Sequence, residues 1–146
     1  MFDLAFHIVG LTRTLTLTTP NVQSFVSQLA AHPQIKSLTI FYTLWDKGSE
    51  FNGVFDRETE TITKTPVDDF IDVDQGQIRD FIAGSFNIYD KDWLNIEVNF
   101  KEFDAGVQGG ESFLKIIYLS YLDRCQYEQD TGKYFDKIMI SRPDMV

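Results

Sequence analysis

The stretch SLTIFYTLW, Ser37 to Trp45, sets the tightest limit on the fold. It alternates with a period of two, yet both faces are apolar: Leu38, Ile40, Tyr42 and Leu44 on one side, Phe41 and Trp45 on the other. A strand of that kind needs cover above and below, so it belongs inside a sheet that is packed on both faces. A chain of 146 residues that is 43% hydrophobic can supply the cover, burying roughly 70% of its unfolded surface. With no repeat, low-complexity tract or long linker in view, one domain over residues 1–146 is expected.

Around that strand the other elements fall into order. Phe2, Leu4, Phe6 and Ile8 alternate as an opening strand, and after Gly10 the apolar phase moves to Leu11, Leu15 and Leu17. A phase change at a glycine predicts a bulge or bend, with Thr12, Thr14, Thr16 and Thr18 on the solvated face. In TTPNVQSFVSQLAAHP, Thr19 can cap and Pro20 suits the first helical position. Val22, Phe25, Val26, Leu29 and Ala30 then form a helical stripe that Pro33 ends. FNGVFDRETETITKT reads as a hairpin turning near Arg57 to Thr59. A second helix is expected over about Gln75 to Ala83, capped by Asp74 with Gln77 three residues on and closed near Gly84.

FNIYDKDWLNIEVNFKEFD, Phe86 to Asp104, reads as another hairpin with its turn at Asp90 to Asp92. FLKIIYLSYL reads as a two-faced central strand, and KYFDKIMIS as its antiparallel return after Thr131 and Gly132. Links that short forbid parallel crossovers. The expected fold is therefore α+β: a mostly antiparallel sheet of about six to eight strands with two α-helices packed on it.

The net charge of −9 is unevenly spread. Met1 to Trp45 carries +1, Asp46 to Glu111 carries −10, and Ser112 to Val146 is neutral. An acidic field repels nucleic acid and anionic membrane and draws basic proteins. No apolar run is long enough to span a bilayer, and Asp3 stands where a signal peptide would carry Lys or Arg. The single cysteine, Cys125, fits a reducing cytoplasm and reads as a small core residue.

No motif specifies a reaction. Asp72 and Asp74 open a calcium-loop spacing that fails at once, because Gln77 replaces the turn glycine and Ala83 the bidentate Glu. AGVQGGE, Ala105 to Glu111, lacks the GK[ST] ending of a phosphate loop. His7 and His32 have no third ligand in register, so no metal or cofactor is expected. A base and nucleophile could be assembled from His7 and a serine or Cys125, but the pattern does not bring them together. No enzyme activity is therefore assigned.

The leading expectation is a non-catalytic cytoplasmic binding protein that inhibits a basic partner, in the manner of an immunity protein or antitoxin covering a nuclease-like toxin. Carboxylates there would stand where phosphates bind. The candidate contact residues are Asp68, Asp69, Asp72, Asp74, Asp90, Asp92, Trp93, Glu97, Glu102 and Asp104, with Trp93 as an aromatic anchor for Lys and Arg. One alternative is a small-ligand-binding protein or enzyme, its pocket between sheet and helices lined by Phe41, Tyr42, Trp45, Tyr118 and Tyr121. Another is a subunit of a homo-oligomer or phage-like assembly, joined through an edge such as Thr61 to Lys64.

Overall fold

The doubly apolar strand is β2 (Ile35–Trp45), and it lies inside a four-stranded sheet, between an inner neighbour and one edge strand. Its inner neighbour is β1 (Phe2–Gly10), and the edges are β7 (Leu94–Lys101) and β8 (Lys137–Ser141). The order is β7-β2-β1-β8, and every pairing in this sheet is parallel. The structure, a computed structural model, describes residues 1–12, 15–48, 54–56, 61–63, 71–103 and 110–142.

Parallel strands need crossovers, and three helices provide them. Between β1 and β2 runs α1 (Leu15–Ala30); α2 (Gln75–Ser85) precedes β7, and α3 (Gly110–Thr131) joins β7 to β8. Leu4, Phe6 and Ile8 of β1 and Leu38, Ile40, Tyr42 and Leu44 of β2 pack with Val22 and Val26 of α1 and Ile82 of α2. On the opposite face Val9 and Trp45 meet Ile116 of α3. Both faces of the inner strands are thus covered, which is what SLTIFYTLW demands. Two short antiparallel ribbons accompany the sheet, β3 (Lys47–Gly48) with β6 (Ile71–Asp72) and β4 (Val54–Asp56) with β5 (Thr61–Thr63).

This architecture corrects the expected one. Among the described residues the sheet has four strands and is wholly parallel, where a mostly antiparallel sheet of six to eight was expected, and there are three helices where two were expected. The decisive segment is FLKIIYLSYL, which lies inside α3. A continuous apolar run does not by itself distinguish a buried strand from a helix, and length has to arbitrate. Here the run belongs to a helix of 22 residues. Once it becomes a helix, β8 can no longer return as a hairpin arm, and it crosses over to lie beside β1. Asp136 secures that position: its N–H donates to Asp3 O at 2.9 Å, and its carboxylate accepts from Asp3 N–H at 2.9 Å.

Two smaller corrections have similar causes. The phase change at Gly10 marks the end of β1, where Gly10 takes φ 131°, and Leu15 and Leu17 belong to α1. Pro20 therefore lies inside that helix, and Thr19 Oγ1 donates to Leu15 O at 2.6 Å. Residues 86–88 form a turn in place of a hairpin arm, leaving Ile88 exposed. The cap of α2 is as the sequence specifies, with Asp74 Oδ1 accepting from Gln77 N–H at 3.0 Å. Arg57 to Thr59, the expected hairpin turn, lies outside the described residues, although its flanks β4 and β5 do pair antiparallel.

Among the described residues the core leaves two hydroxyls without a partner, Thr39 Oγ1 and Tyr42 OH. Tyr42 is fully buried, burial raises its pKa, and among the described residues its OH has no hydrogen bond. Tyr42→Phe removes that desolvated group, so the variant should unfold at the same urea concentration as the parent or be up to ~1 kcal/mol more stable. A loss above ~1 kcal/mol in urea denaturation would contradict the unpartnered hydroxyl.

Candidate functional site

Strand order reverses between β1 and β8, since β2 and β7 follow on one side of β1 and the last strand on the other. In open sheets of this kind, ligands bind near the carboxyl ends of the strands at that reversal. α3 packs over β1 and β2, so the strip of sheet toward β8 stays open on this face, with Ile138 46% and Ile140 50% exposed. Between α3 and that strip lies a cavity of about 360 Å3. His7 and Val9 of β1 and Ile140 of β8 line its sheet side. From α3 come Leu114, Ile117 and Tyr118, then Ser120, Tyr121 and Arg124 one turn further on. Leu114, Tyr118 and Tyr121 are exposed and form an apolar, aromatic rim.

A chain of polar side chains runs beneath α3 to this cavity. Lys101 Nζ donates to Asp123 Oδ1 at 2.7 Å, an ion pair with little solvent access. Thr43 Oγ1 lies 3.1 Å from Asp123 Oδ2 and 2.9 Å from Ser120 Oγ. Ser120 Oγ in turn lies 2.6 Å from His7 Nδ1. His7 and Ser120 are buried, and the imidazole stacks on Phe41 at 5.0 Å between ring centroids. Burial, and then the neighbouring Arg124 guanidinium, lower the pKa of His7 to about 4, so the ring is neutral at pH 7. His7 Nε2 is buried and has no partner among the described residues. Arg124 itself pairs with Glu128 at 3.4 Å and lies over the Tyr121 ring.

The site thus has an apolar body, two tyrosines at its mouth, one neutral imidazole and one guanidinium. Tyr118 and Tyr121 of the expected pocket line it, whereas Phe41, Tyr42 and Trp45 are buried core. Ser120 Oγ is engaged on two sides, by Thr43 and by His7. The described residues hold no cluster of three or more metal-ligating side chains.

The acidic candidates fall elsewhere. Asp90 and Asp92 are exposed in the turn before β7, where Asp90 Oδ1 accepts from Asp92 N–H at 2.9 Å. Asp72, Asp74 and Glu102 are exposed at the other end of that strand's flank. The 8 residues of β7 separate the two groups by roughly 25 Å at ~3.3 Å per residue. Glu97 is half-buried on α3's side of the sheet and accepts from Asn95 Nδ2 at 3.0 Å. Trp93 is half-buried and packs against the core and Tyr89. Asp68, Asp69 and Asp104 lie outside the described residues.

Sequence reasoning passed over Ser120, Thr43, Asp123 and Arg124. One signal was available for His7: it sits on the face of β1 opposite Leu4, Phe6 and Ile8. If β1 is an inner strand, that face is buried as well, and a buried histidine needs a partner. Comparison with protein-family models, with curated proteins and with solved structures found no match.

Proposed function

We propose that the chain is a small-molecule-binding protein of the cytoplasm, and that its site is the groove between α3 and β8. The observation that carries this reading is the position of the cavity. A void of about 360 Å3 lies at the reversal of strand order, where open sheets of parallel strands bind ligands. Its size is at the small end for ligand sites and suits a compact molecule of one or two rings. Tyr118 and Tyr121 offer ring faces at the mouth, and Arg124 and His7 supply polar groups that fix orientation.

The test is a titration of the 15N-labelled protein with a library of one- and two-ring fragments. Binders should move the amide resonances of Val9, Ile117, Tyr121 and Ile140. Ile140→Trp fills the groove from a half-exposed strand position and should weaken those binders about tenfold or more, while changing stability by less than about 0.5 kcal/mol. Hits confined to another surface, or a filled groove that binds as well as the open one, would refute the reading.

A second reading, inhibition of a basic partner of the toxin type, is favoured by one observation. Asp90 and Asp92 are both exposed in the turn that enters β7, the edge strand opposite β8, so this acidic turn and the groove do not compete. Asp90→Lys with Asp92→Lys should slow association with a basic partner about tenfold at low salt and much less at high salt. Stopped-flow rates independent of both charge and salt would remove this turn from consideration.

A further inference from the structure

We infer that a relay of hydroxyls anchored on Asp123 holds the His7 proton on Nδ1, so that the groove selects ligands able to donate a hydrogen bond to Nε2, such as indoles and phenols. This rests on the reading of the groove as a ligand site and adds the polarity of its recognition.

The direction of the relay follows from what each group can do. A carboxylate paired with an ammonium only accepts, and Asp123 Oδ1 is already taken by Lys101 Nζ at 2.7 Å. Thr43 has one hydroxyl proton and two oxygen neighbours, Asp123 Oδ2 at 3.1 Å and Ser120 Oγ at 2.9 Å. If that proton went to Ser120, two oxygens bearing only lone pairs would face each other at Asp123. Thr43 therefore donates to Asp123 and accepts from Ser120. Ser120, its proton spent, can only accept from His7 Nδ1–H at 2.6 Å.

Nε2 then carries a lone pair. The nearby Arg124 guanidinium, which disfavours a positive imidazole, favours that bare nitrogen over an N–H. A neutral imidazole with one nitrogen unpaired, on a ring that lines the cavity, lacks a donor. Burying an acceptor without a partner is costly, and a ligand that brings an N–H or O–H removes the cost. Thr43 is a positioning residue in this scheme, acting on the ligand only through Ser120 and His7.

The experiment uses the full chain at neutral pH in two measurements. Long-range 1H–15N spectra of the labelled protein read which imidazole nitrogen of His7 bears hydrogen, with His32→Gln removing the exposed second histidine. Indole and 1-methylindole, alike in shape but with the donor capped in the second, are then titrated and followed by amide shifts. The expected result is the Nδ1–H form and about tenfold tighter binding of indole. Thr43→Val, which keeps the volume and breaks the relay, should move the proton toward Nε2 and erase most of that preference. Equal affinities in the parent protein, or an Nε2–H tautomer, would overturn the inference while leaving the groove as a site. If neither probe binds at millimolar concentration, the groove reading falls and takes this inference with it. The histidine spectrum distinguishes that outcome from the others, and the parent protein decides the matter even if Thr43→Val does not fold.

Discussion

Phe41→Ala should lose about 4 kcal/mol of folding stability. Phe41 is fully buried on the α3 face of β2. Its ring stacks on His7 at 5.0 Å and meets Tyr127 and Phe135 edge-on at 5.4 and 5.7 Å. Truncation therefore costs the transfer of a whole ring, the cavity it leaves, and three aromatic contacts worth up to about 1 kcal/mol each. Domains of this size are stable by only ~5–15 kcal/mol, so the variant would sit near its unfolding threshold. Urea denaturation with the parent slope should show the change directly. A loss below about 2 kcal/mol would mean that Tyr127 and Phe135 close over the gap, and that the stack does not hold His7 in place.

Acidification should produce the second large effect. The pKa of His7 falls from 6.5 to about 4 on folding, through burial first and Arg124 second. Between those two values the unfolded chain binds more protons than the folded one, so stability rises with pH there. The contribution is present in full above pH 6.5 and is lost progressively as pH falls toward 4. At its limit it amounts to about 3 kcal/mol, since each tenfold loss of proton affinity on folding corresponds to ~1.4 kcal/mol. Carboxylates titrate in the lower part of the same range, so the measurement is a difference. Stability against pH is compared between the parent and His7→Gln, and the variant should have the flatter profile from pH 6.5 to about 4.5. Parallel profiles would show that His7 titrates alike in both states and is therefore not desolvated.

Much of the inner sheet was legible because its chemistry is local. The two apolar faces of Ser37 to Trp45 predict an inner strand, the stripe from Val22 to Leu29 predicts α1, and Asp74 with Gln77 predicts the start of α2. α3 was not legible, and the reason lies in what it packs against. The face of the sheet beneath it carries Thr39, Thr43 and Asn95, so Ser120, Asp123 and Tyr127 turn inward while Leu114, Tyr118, Tyr121 and Leu122 face out. A helix whose inner side is partly polar and whose outer side is partly apolar gives no clean amphipathic period, and an apolar run then passes for a strand. The site was harder still. His7 and Ser120 are 113 positions apart, and they meet only because α3 crosses the sheet to let β8 pair with β1.

That pairing also bears on how the protein is made. β1 and β2 can join early, but the other edge of β1 must wait for β8, roughly 90 residues after β2 has been synthesised. At about 5–20 residues per second, a ribosome takes on the order of 5–20 s to supply it. For that interval the nascent chain offers an unpaired strand edge beside an apolar face, the kind of surface that chaperones capture and that neighbouring chains can pair with. β1 is thus left waiting for β8.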